Sequence, residues 1–148
     1  MPVVLPSAAS PYLKPLPQPT ARNEEFLAGL AERRFLVPRC QDCGDFNWPP
    51  YPACRSCLSE NLRWTEVSGE ATVFSFTVVH RGPGAFGAEV PYVIALGELA
   101  EQPRPCLVLA NLVAIDPDDA AIGMPIEIAY EDIPSENTTM WRWVPRAG

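Results

Sequence analysis

The stretches Cys40-Gln41-Asp42-Cys43 and Cys54-Arg55-Ser56-Cys57, with ten residues between them, decide how this chain begins to fold. Two CxxC pairs this close together supply the four thiolates that wrap a single tetrahedral metal ion. A cage of four cysteines is closed, with no ligand position left for water or substrate, so it points to structure before chemistry. The segment from Val37 to Leu58 contains four prolines and few aliphatic residues, too few to fold by apolar burial. Metal supplies the missing stability: structural zinc is worth about 10–16 kcal/mol in zinc-finger peptides. One structural Zn2+ per chain is therefore expected, with Cys40, Cys43, Cys54 and Cys57 as ligands. Iron fits the same sulfur geometry, and spacing alone leaves the two metals open. Gly44, directly after Cys43, suits a tight knuckle whose N–H groups turn toward sulfur; Leu58 takes the equivalent place after Cys57.

Outward from this ribbon the chain divides into an arm, a helix and a β-rich half. Residues 1–19 hold six prolines and read as an extended arm, either disordered or laid along a partner surface. Thr20 reads as a helix N-cap, with Asn23, Glu24 and Glu25 in the first turn, where acidic groups favour the helix dipole. Phe26, Leu27 and Leu30 then give an amphipathic helix over roughly Ala21–Arg34, packed on its own chain or on a partner. From Val67 the pattern turns to strands, expected over Val67–His80, Tyr92–Leu99, Cys106–Ile115, Pro125–Tyr130 and Thr139–Val144. In the first, Phe74, Phe76 and Val78 alternate onto one face. The loop Gly82–Ala88 has too little context for a phosphate cradle and reads as flexible. Five strands, the first one long, match a small Greek-key barrel of the OB type, though pattern alone leaves other small barrels open. The expected fold is mainly β with a small α part. Its units are the arm (1–19), the helix plus ribbon (20–64) and the barrel (65–148).

Charge narrows the partners. The net charge is −7, but residues 1–64 carry seven basic and six acidic side chains, while residues 65–148 carry four basic and twelve acidic ones. An OB barrel that tracks nucleic acid needs the opposite sign, because its affinity comes from neutralised phosphates. No stretch is apolar and long enough for a membrane span, and the first residues lack the basic start of a secretion signal. A reducing, cytoplasmic setting is expected, which also suits metal-bound thiolates.

The order of elements resembles a known family. A helix with Phe26-Leu-Ala-Gly-Leu precedes a ribbon opening Pro38-Arg-Cys-Gln-Asp-Cys-Gly. A barrel opening Val67-Ser-Gly-Glu-Ala-Thr-Val-Phe-Ser-Phe-Thr follows, with Pro91-Tyr-Val-Ile-Ala-Leu and Ile122-Gly-Met-Pro-Ile further on. From Thr20 to Pro145 the chain is similar to the zinc-ribbon/OB-fold proteins that accompany thiolase-like enzymes. The resemblance implies a rubredoxin-like four-cysteine ribbon and a five-stranded OB barrel in a non-catalytic partner of a thiolase-superfamily subunit. Reactions of such assemblies on CoA thioesters include acyl transfer, C–C condensation and retro-aldol cleavage. Two departures from the family pattern are Leu58, where a small residue is frequent, and the aromatic ending Trp141-Arg-Trp-Val-Pro.

The inventory of reactive groups agrees with an accessory role. His80 is the one histidine, and it has no evident partner nucleophile; no GxSxG, HExxH or Walker loop occurs. Cys106 lies in an apolar run and reads as a buried, inert thiol. The acidic clusters Asp116/Asp118/Asp119 and Glu131/Asp132 read as solvated turns. Trp141, Arg142, Trp143, Phe86 and Arg39 are the candidate contacts to a partner or to CoA, whose phosphates favour arginine forks. Trp141 and Trp143 share one face of the last strand, as a partner anchor if exposed or as core if turned inward. Two other classes are weighed against this reading. One is an OB-fold nucleic-acid binder stacking bases on Phe74, Phe76 or the tryptophans. The other is a rubredoxin-like electron carrier with iron in the cage.

Overall fold

The structure, a computed structural model, describes residues 1–147. Its elements run β1 (Val3–Val4), α1 (Glu24–Ala31), β2 (Phe35–Cys40), β3 (Leu62–Val67), β4 (Glu70–Val79), β5 (Tyr92–Leu99), β6 (Leu107–Leu112), β7 (Pro125–Ile133) and β8 (Thr138–Pro145). Strands β4 to β8 close a five-stranded barrel in the order β4-β5-β6-β8-β7, with β7 returning to β4. All pairings in it are antiparallel except β6–β8. This is the OB-type architecture expected from the strand pattern. β2 and β3 form a separate antiparallel hairpin, whose strands frame the four-cysteine segment.

Long β4 serves both sides of the barrel. Its first residues pair with β7 and the whole strand pairs with β5, and it bends at a bulge between Val73 and Ser75. The bulge corrects the expected alternation: Phe76 and Val78 stay on the inward side, while Phe74 is turned out and left half-exposed. Inside the barrel, Val73, Val93, Ala95, Val108, Leu112, Ile126 and Ile128 surround Trp143, which is fully buried.

The helix is shorter than expected, beginning at Glu24 with Asn23 as its cap. Thr20 closes a preceding turn, and the Asn23 side chain accepts from the Thr20 N–H at 2.7 Å. It ends where Arg33 takes a left-handed φ of 60°, and the Arg34 N–H donates back to the Gly29 carbonyl at 2.8 Å. Phe26, Gly29 and Leu30 are buried, so the helix packs on its own chain.

The first residues of the arm lie along the barrel. Beyond Glu127 the edge of β7 that faces away from β8 is not paired by β4. β1 fills that edge in parallel, Val3 opposite Ala129 and Val4 opposite Tyr130. The Leu5 and Ala8 N–H groups then donate to the Tyr130 and Asp132 carbonyls at 2.8 Å each. An open strand edge is a row of unmet hydrogen-bonding groups, and the arm meets them.

Candidate metal centre and its joint with the barrel

The two cysteine pairs are built alike. Cys40 and Cys54 are buried, and Cys43 and Cys57 are exposed. After each pair the chain makes the same turn: Gly44 (φ 80°) donates to the Cys40 carbonyl and Leu58 (φ 65°) to the Cys54 carbonyl, both at 2.9 Å. The knuckle expected at Gly44 is thus present at Leu58 too, in a conformation that a residue with a Cβ adopts at a cost. The four sulfurs lie within 4.8 Å of one another, and Cys40–Cys57 and Cys43–Cys54 are each 3.6 Å apart. A tetrahedral zinc with bonds of about 2.3 Å would set its sulfurs about 3.8 Å apart, so the cage fits that ion.

Donors around the cage favour thiolate. The Cys43 N–H points at the Cys40 sulfur (3.5 Å), and the Ser56 N–H (3.4 Å) and Asn47 amide (3.6 Å) at that of Cys54. Hydrogen bonding from the Cys43 N–H, against the effect of burial, holds the Cys40 thiol below its ordinary range. Burial pushes Cys54 up, but the Cys57, Ser56 and Asn47 donors outweigh it and bring the thiol down to about 6. At Cys57 the Ser59 N–H acts downward, yet the neighbouring sulfurs and desolvation push it up to about 12. Four thiolates in so small a cage repel one another, and a divalent cation is what lets all of them ionise together.

Asp45, Asn47 and Ser56 form a support for the cage that sequence reading missed. Asn47 is fully buried and accepts the Arg55 N–H at 2.8 Å, which fixes the second knuckle. Asp45, also buried, accepts from the Ser56 hydroxyl and from Arg55 Nε (3.4 Å), with Arg104 at 3.8 Å. Arg55 also donates to the Pro105 carbonyl at 2.5 Å, so a residue between two metal ligands grips the β5–β6 loop of the barrel. Polar residues inside an otherwise aromatic and proline-rich tip were the available signal.

An aromatic cluster completes the joint. Phe26 of the helix lies 5.5 Å from Phe35, 4.7 Å from Trp48, 6.3 Å from Trp64 and 5.1 Å from Trp141, ring centre to ring centre. Helix, ribbon and barrel therefore share one apolar core. Arg33 adds a two-pronged pair to Asp132 of β7, at 2.8 and 2.5 Å. Hydrogen bonds from Arg33 and then Thr139 hold the Asp132 carboxyl below its usual range. Glu131 likewise pairs with Arg142 at 2.8 Å. Neither acid is the solvated turn expected; both sit on β7 facing arginines, Arg142 on the adjacent strand β8 and Arg33 99 residues away in sequence.

The candidate contact residues separate. Trp143 is core: its ring stacks on Gly97, where an added Cβ would come within 2.4 Å, and its Nε1 donates to the Val108 carbonyl at 3.2 Å. That corrects the expectation of a surface contact there. Trp141 is partly buried in the aromatic cluster and donates to the next carbonyl, Leu109, at 3.1 Å. The two indoles thus help close the β6–β8 seam, where the strands themselves register only at Leu112 opposite Trp143. Arg142 is buried against Glu131 and Tyr12. Phe86 packs on Tyr92 at 5.8 Å, in a 3-10 turn (Gly84–Glu89) that gives the loop expected to be flexible a defined shape. Arg142 and Phe86 line one cavity of 380 Å³ beneath the arm, together with Tyr12 and Lys14. Arg39 is not among its lining; it folds back over Phe46 and donates to the Gly44 carbonyl at 3.2 Å. Burial pushes the Cys106 thiol up to about 11, in keeping with an inert residue. No helix among the described residues is long and apolar enough to cross a membrane.

Residues 27–63 match the family described as ChsH2, rubredoxin-like zinc ribbon domain, and residues 64–131 that described as ChsH2, C-terminal OB-fold domain. A DUF35 domain-containing scaffold protein of Methanocaldococcus jannaschii is 33% identical over 106 residues, covering 70% of this chain and 73% of the relative. The chain belongs to the ChsH2/DUF35 family. A solved ChsH2/DUF35 chain, from a structure described as Ltp2-ChsH2(DUF35) aldolase, is 33% identical with a TM-score of 0.75, covering 88% of this chain and 98% of its own. The chain is also 38% identical over 120 residues to the 3-oxo-4,17-pregnadiene-20-carboxyl-CoA hydratase alpha subunit of Mycobacterium tuberculosis, covering 81% of this chain. It spans only 36% of that relative's length, and 38% of a probable enoyl-CoA hydratase alpha subunit of Thermomonospora curvata.

Proposed function

We propose that this chain is a non-catalytic accessory subunit that assembles with a thiolase-like enzyme acting on CoA thioesters. The observation that carries the reading is its likeness, over 88% of this chain and 98% of the other, to the ChsH2/DUF35 chain of the Ltp2-ChsH2(DUF35) aldolase. The reactive groups of the chain support it. His80 is exposed just beyond β4, Cys106 is buried, and the four remaining cysteines converge on one cage. In this reading the cage holds one structural zinc, which supplies folding energy and takes no part in the reaction. Arg55 and the aromatic cluster then carry that rigidity into the barrel.

The cavity beneath the arm, with Arg142 and Phe86 in its wall, is the part of this chain best suited to meet a CoA thioester bound within the complex. Nucleic-acid binding is disfavoured by the acidic balance of residues 65–148, which offers no basic groove to a phosphate backbone. The test is to purify the full chain alone and together with its thiolase-like subunit, and to assay both with CoA thioesters. The isolated chain is expected to be inactive and the complex active. Turnover by the isolated chain at the rate of the complex overturns the accessory role, as does failure of any thiolase-like subunit to co-purify.

A further inference from the structure

The outer face of the β5–β6 pair is apolar where a solvated face should be polar, while β4 beside it carries Thr72, Ser75 and Thr77. Along β5 the inward residues Val93, Ala95, Gly97 and Leu99 are buried, yet the outward ones are Tyr92, Ile94, Leu96 and Glu98. Along β6 the inward residues are Val108, Ala110 and Leu112, and the outward ones Leu107, Leu109 and Asn111. Register sets Leu96 directly between Ser75 and Leu109, and Ile94 between Thr77 and Asn111. The β4 bulge turns Phe74 outward beside this row, leaving it 50% exposed, and Leu109 is 52% exposed. An antiparallel sheet with one face in water alternates apolar and polar, whereas near-continuous apolar strands belong to sheets covered on both faces. β7 shows the ordinary pattern on its outward side, with Glu127 and Glu131.

Half of this outer face is already roofed by the chain itself. Phe86 packs on Tyr92, and Tyr12 and Lys14 of the arm stand over Asn111 and Val113. The other half, Phe74, Leu96, Leu107 and Leu109, is open. We infer that this open half is the docking face for the thiolase-like subunit, a partner that meets it with an apolar patch and a basic rim. The inference rests on the assembly proposed above. Charge selects the occupant: the charged side chains on the outward rows, Glu70 of β4 and Glu98 of β5, are both acidic, and the barrel half that bears them is strongly acidic. A second copy would set two acidic surfaces together, and like charges across an interface disfavour it.

The experiment measures binding of the full-length wild-type chain and of Phe74→Glu and Leu109→Glu to the co-purifying thiolase-like subunit, with melting curves for each chain. An acidic group placed in a buried apolar contact is expected to weaken binding on the order of 30-fold or more, with melting unchanged. Equal binding by wild type and both variants overturns the docking face and leaves the accessory role standing. No binding by wild type overturns the accessory role itself. A wild-type dimer in solution that Leu109→Glu makes monomeric overturns the inference in favour of a second copy. Should a variant melt early, methyl NMR of the wild-type chain decides instead. Leu96, Leu107 and Leu109 must shift on adding the subunit while core Leu30 and Leu99 hold still; the reverse, or no shift, overturns it.

Discussion

In the ribbon, the residues between β2 and β3 are held by a sulfur cage, two matched turns and buried polar side chains. Their apolar members, Phe46 and Trp48, are few. In the barrel, five strands close mainly around aliphatic side chains and the buried Trp143, and among the described residues the metal-ligating cluster lies in the ribbon. The two regions meet through Phe26, Trp48 and Trp141 and through Arg55, which reaches from the second knuckle to the Pro105 carbonyl. Stability in one region is therefore set by ligand chemistry and in the other by area and fit, and the joint decides how far a failure in one is felt in the other.

Breaking the cage is the severest test of that difference. Cys40→Ser or Cys54→Ser removes a buried ligand, and the expected result is an unfolded ribbon, poor solubility and loss of the one bound zinc per chain. Most of the roughly 10–16 kcal/mol that structural zinc supplies in comparable small domains is then forfeited locally. Metal analysis with near- and far-UV circular dichroism reads the outcome. Strand signal from the barrel should survive better than the aromatic signal from Trp48 and Trp64. A protein with all four cysteines replaced that keeps the full wild-type spectrum would show that the ribbon does not need metal.

The matching lesion in the barrel is Gly97→Ala. The new methyl would lie 2.4 Å from the Trp143 ring, which is fully buried and tied to Val108, so the ring or strand must move. Overpacking of this kind costs about 3 kcal/mol. For a chain of this size that lowers the melting temperature by about 6–12 °C. Zinc content should stay at one per chain, in contrast with the cysteine variants. A normal melting temperature would mean that Trp143 is not packed on Gly97 as described.

The same contrast explains which features were legible in the sequence. The cage was legible because its ligands are local and their spacing is dictated by one ion. Strand β5 was expected over Tyr92–Leu99 and is found there, and the five barrel strands all appear, since alternation is a local signal. What stayed hidden depends on partners distant in the chain. The arm's place follows from an edge of β7 that β4 leaves open. Arg33 and Asp132 lie 99 residues apart, so neither announces the other. The bulge at Phe74 shifts one residue within a run that otherwise alternates correctly, and Trp143 reads as core only once Gly97 is known to lie beneath it.

The smallest expected effect compares the two knuckles within the ribbon. Gly44 and Leu58 occupy the same turn with the same left-handed backbone, but only Gly44 is free of the Cβ penalty. Leu58 is 77% exposed, so its side chain returns little packing for that strain. Leu58→Gly removes about 1 kcal/mol of backbone strain and adds unfolded-state freedom worth somewhat less, for a net gain of about 0.5 kcal/mol. Gly44→Ala should shift stability by about 1 kcal/mol the other way, although its new methyl meets only the flexible Arg39 side chain at 3.7 Å. Because these turns position Cys40 and Cys54, the cleaner readout is zinc competition against a chelator. Leu58→Gly should hold zinc about twofold tighter and Gly44→Ala about fivefold more weakly. A Leu58→Gly chain that loses zinc more readily would mean the exposed leucine braces the second knuckle, and the two pairs would no longer count as equivalent halves of one cage.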